Sequence, residues 1–85
     1  MDTATIISLD ELAAAEARNT ALAYMSEAFA EAALDGVDVD ACAEAAFSAA
    51  FRELIAAYGE DRAIKIAQSL PARVRAGEFS ILTRQ

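Results

Sequence analysis

Eighty-five residues form one small domain, with a net charge of −7 and no histidine, no tryptophan and one cysteine. Those absences exclude most side-chain catalysis, any Cys/His zinc cluster and a disulfide framework. Of 48 apolar residues 23 are alanine, and alanine loses no side-chain entropy in a helix. With three glycines and one proline there are too few turn residues for an all-β domain. The expectation is an all-α fold spanning 1–85: a compact bundle of three main helices plus a short C-terminal fourth helix and tail.

Residues 1–7 read as a flexible or extended arm without the basic start and long apolar run of a signal peptide. Ser8-Leu9-Asp10-Glu11 is a capping box that opens the first helix, which runs to Leu34 before Gly36 stops it. Leu22, Met25, Phe29 and Ala33 form a stripe rotated from Leu9 and Leu12. Arg18-Asn19-Thr20 between them predicts a kink or break.

Asp38 is the expected N-cap of the second helix, with Val37 stapled onto Cys42. Val39, Cys42, Ala46, Phe47, Ala50, Phe51, Leu54, Ile55 and Tyr58 recur at helical spacing up to Gly59. This is the expected core helix, with Phe47, Phe51, Leu54 and Ile55 nearly fully buried. The third helix starts near Glu60 and turns Ala63, Ile64, Ala67 and Leu70 inward. Pro71 suits the first turn of a fourth helix closed by Gly77, and residues 78–85 form a tail whose Phe79, Ile81 and Leu82 fold back.

Charge is unevenly placed. Residues 1–51 carry ten acids and one base, whereas 52–85 carry four acids and six bases. Glu27, Glu31 and Asp35 form a row at i, i+4 and i+8, and Asp38, Asp40 and Glu44 continue the acidic run. Like charges at that spacing cost an isolated helix about 0.2–0.5 kcal/mol per pair, so local stability does not explain them. These six are the candidate partner-binding residues, for another protein with a basic surface; the plain alternative is a solvated face. The order of glycine and acids in 35–40 does not match a calcium loop, and helix capping accounts for those acids. Cys42 has neither a histidine nor a second cysteine to work with, and reads as a small core residue.

No catalytic residue, metal or cofactor is expected. Net negative charge argues against direct nucleic-acid binding, no stretch is apolar enough for a membrane, and a lone cysteine suits the cytoplasm. Arg62–Arg75, two helices around a tight break with Arg73 and Arg75 on the second, allow a helix-turn-helix DNA-binding regulator as a third reading. The first is an inhibitor occupying a basic surface of a nucleic-acid-handling complex. In size and acidity the chain resembles phage anti-restriction and anti-CRISPR proteins. The second is a structural or adaptor subunit that binds a partner protein through apolar helix faces. Alanine-rich faces favour a homodimer in either case.

Overall fold

The computed structural model describes residues 8–80. They form three helices and no strand: α1 over Leu9–Leu34, α2 over Val39–Tyr58 and α3 over Glu60–Arg75. None of these helices is long and apolar enough to cross a membrane. The chain divides into two compact units, Met1–Ala43 and Glu44–Gln85.

In the first unit the capping box forms as expected. The Glu11 backbone N–H donates to Ser8 Oγ at 3.0 Å, and the Ser8 N–H donates back to Glu11 Oε1 at 3.2 Å. Two of the backbone donors orphaned at a helix start are thereby satisfied. Ser8→Ala is expected to cost about 1 kcal/mol, a fall in melting temperature of about 4–8 °C by circular dichroism. An unchanged melting curve would show that the first turn frays in the wild type too.

At its other end α1 closes in a Schellman motif. The Val37 N–H donates to the Ala32 carbonyl at 2.9 Å and the Gly36 N–H to Ala33 at 3.0 Å, with Gly36 at φ 83°. Of the kink or break expected at Arg18-Asn19-Thr20, the break is absent: α1 runs helical through it. Asn and Thr disfavour a helix interior by only tenths of a kcal/mol, and the strong helix formers on both sides outweigh them.

Gly59 alone joins α2 to α3. Its N–H donates to Ile55 at 2.8 Å, closing α2, while its carbonyl accepts from Ala63 at 3.3 Å, opening α3. It does both at φ 91°, ψ 168°. Acids in the first turn of α3 (Glu60, Asp61) and bases in the last (Arg73, Arg75) complement the helix dipole.

The fourth helix is not found. Pro71 lies inside α3, and residues 71–75 complete that helix. The missing N–H leaves the Ala67 carbonyl without its usual helical donor. Nearby, the Ser69 hydroxyl donates to the Ile66 carbonyl at 2.6 Å. The helix then ends in a second Schellman motif, with Gly77 N–H to Val74 at 3.0 Å and Glu78 N–H to Arg73 at 3.1 Å.

Burial departs furthest from expectation. Ala63, 3% exposed, is the one buried residue among those described. Phe51 and Leu54 are half-buried, whereas Phe47 and Ile55 are exposed. Ile64 and Ala67 are exposed as well, and Cys42 and Leu70 are half-buried. The periodicity is right about which residues share a face. It carries no information about what covers that face, and in the single chain little does. Of the tail residues expected to fold back, Phe79 reaches the helices; Ile81 and Leu82 lie outside the described residues.

Candidate interaction surfaces

The six acidic candidates are all exposed. Glu27 and Glu31 stand one turn apart on α1, and Asp35 caps its C-terminus. Asp38 precedes α2, its carbonyl accepting from Cys42 at 3.0 Å, and Asp40 lies in the first turn. Glu44 follows one turn later on the same helix. Helix and loop thus carry the acids in succession along the chain. Among the described residues no three His, Cys, Asp or Glu side chains group as metal ligands would.

At about 100° per residue, Leu22, Met25 and Phe29 share an arc of about 60° on α1. Glu27 and Glu31 lie on the far side of the helix from them. All three apolar side chains are exposed. Helix α1 therefore presents an apolar row and an acidic row in opposite directions. No base lies in its last turn, so Glu31 and Asp35 face the negative end of the helix dipole unrelieved.

The second unit carries a different surface. Phe47 from α2, Leu70 and Val74 from α3, and Phe79 beyond it line an apolar groove of about 460 Å³. An early position on α2 meeting late positions on α3 makes the two helices antiparallel neighbours. Phe47 is 55% exposed, Val74 59% and Phe79 53%. Arg73 fixes the far wall: its guanidinium sits 5.1 Å from the Phe79 ring centre and 2.7 Å from Glu78 Oε1. The hydrogen bond to Glu78 holds Arg73 above its ordinary pKa, against a small opposing effect of burial. The Schellman turn makes this possible, because it brings residue 78 back over residue 73.

Along α2 the groove continues as a row. Phe47, Phe51, Leu54 and Tyr58 follow a 4-3-4 spacing, the pattern of a helix that packs along a seam, and Ile55 widens it. The Arg62 guanidinium lies 5.1 Å from the Tyr58 ring centre, at the other end of the row. Sequence reasoning assigned this row to a buried core and placed Val74 on a separate helix, so the groove was missed. The same 4-3-4 spacing on α3, at Ala63, Ala67, Leu70 and Val74, was the available signal. Arg62–Arg75 belongs to one continuous helix, which removes the tight break on which the helix-turn-helix comparison depended.

No protein-family model matches the chain, nor does any curated protein or solved structure.

Proposed function

We propose that this chain is a non-catalytic interaction protein, an adaptor or structural subunit that engages a partner protein through its apolar helix faces. The observation that supports this is the exposed row Leu22, Met25 and Phe29 on α1. Spaced at i, i+3 and i+7, these are the anchor positions with which an amphipathic helix enters another protein's groove. Buried anchors of this kind supply most of the binding energy of an interface.

A second reading is favoured by the acidic row on the opposite side of α1. Glu27, Glu31, Asp35, Asp38, Asp40 and Glu44 would then occupy a basic surface, as an inhibitor of a nucleic-acid-handling complex does. Opposite placement on α1 leaves Glu27 and Glu31 displayed even when the apolar row is covered.

Salt separates the two readings. Raising ionic strength from ~50 to ~500 mM shortens electrostatic screening from roughly 14 Å to 4 Å. A partner captured by the tagged protein is expected to stay bound at high salt, to be lost with Leu22→Ser plus Met25→Ser, and to survive Glu31→Lys plus Asp35→Lys. A partner released by salt and lost on charge reversal would replace the adaptor with the inhibitor.

A further inference from the structure

We propose that the groove and row of the second unit are filled by the same surface of a second copy of this chain. The inference rests on the reading that apolar helix faces are the working surfaces, and it names the occupant of one of them.

Three observations converge on a second copy. The first is charge. Residues 1–43 hold nine acids and one base, a net −8, whereas 44–85 hold five acids and six bases, a net +1. Two copies of the first unit repel each other; two copies of the second meet almost neutral. The chain's negative charge therefore directs self-association to the α2–α3 face.

The second observation is area. A stable interface buries about 800 Å² on each partner, somewhat over half of it apolar. Aromatic side chains contribute about 150–250 Å² each, so Phe47, Tyr58 and Phe79, each exposed by more than half, offer roughly 300 Å² among them. Ile55, Val74 and the half-buried Phe51 and Leu70 extend it, and together they approach what a dimer needs. An apolar patch of this size is what marks association sites on small proteins.

The third is spacing. Both α2 and α3 carry 4-3-4 apolar rows, so two antiparallel pairs can pair row against row into a four-helix core. A two-fold axis through that core brings the same patch of each copy together, Phe47–Phe79 groove and α2 row against their counterparts. One unpaired hairpin leaves only Ala63 buried, whereas two would enclose both rows.

Sedimentation equilibrium at ~5–50 µM tests this directly. The wild type is expected at about 18 kDa, twice the 9.0 kDa chain. Phe47→Ser combined with Val74→Ser is expected to shift it to the monomer mass, with the dissociation constant raised at least a hundredfold. Leu22→Ser with Met25→Ser is expected to leave the dimer unchanged. In parallel, the wild-type melting temperature should rise with protein concentration, a readout that requires no variant to fold. A 9.0 kDa wild type with a concentration-independent melt overturns the second copy, while partner capture through Leu22 and Met25 stands or falls separately. A dimer broken by the α1 pair but untouched by a folded Phe47/Val74 variant overturns the assigned face.

Discussion

Pro71→Ala is expected to make the protein more stable by about 2 kcal/mol. Proline inside a helix costs about 3 kcal/mol relative to alanine, through its lost hydrogen bond and the clash of its ring with the preceding turn. Position 71 lies within α3, one residue after half-buried Leu70 and three before Val74. Alanine restores an N–H for the Ala67 carbonyl. Against this, proline stiffens the unfolded chain, and removing it returns about 0.4–1 kcal/mol to the unfolded state. The helix term is larger, so the net sign is positive. The urea midpoint should rise, and the melting temperature should climb by roughly 4–8 °C for each kcal/mol. A midpoint that falls would mean that the proline holds a bend on which the groove wall depends.

The opposite change is expected at the joint between α2 and α3. Gly59 at φ 91°, ψ 168° occupies a region of backbone space that is essentially glycine's alone. Beyond Gly59 and its two chain neighbours no atom lies within 4 Å of where a Cβ would stand, so the cost of Gly59→Ala is local backbone strain. That strain is about 1–3 kcal/mol, a large share of the stability of a chain this small. Gly36 supplies the control. It also has positive φ, at 83°, but in the left-handed turn that closes α1, a conformation asparagine tolerates. Gly36→Asn is therefore expected to melt close to the wild type and Gly59→Asn well below it. Equal melting of the two would show that the α2–α3 joint relaxes without penalty.

Helix boundaries were legible wherever a local device sets them. Ser8 with Glu11, Gly36 and Gly59 each act within a few residues, and each is found where the sequence placed it. Two errors share one cause. The weak Asn19-Thr20 signal predicts a kink or break and the stronger Pro71 signal the start of a new helix, and both lie within continuing helices. At Pro71 the apolar spacing of Ala63, Ala67, Leu70 and Val74 continues across the proline, and that longer-range pattern is the better guide to where the helix ends.

The candidate surfaces were legible by half. Exposure of Glu27, Glu31 and the other four acids follows from charge and helical spacing. The groove could not be read the same way. Phe47 and Ile55 carry the sequence signature of core residues, and the same signature belongs to residues that wait for a partner. Periodicity defines a face and leaves its neighbour unnamed.

The one-residue joint at Gly59 also has a kinetic meaning. Because α2 turns directly into α3, the pairings along the hairpin widen from Tyr58 with Arg62, 4 residues apart at the joint, to Phe47 with Val74, 27 apart at its open end. With no long loop to close first, such a hairpin can zip outward from Gly59, and small helical domains of this kind fold in microseconds to milliseconds. If two copies pair as proposed, the hairpin is formed before molecules at micromolar concentration meet, and encounter takes place between finished surfaces whose mutual orientation sets the pace.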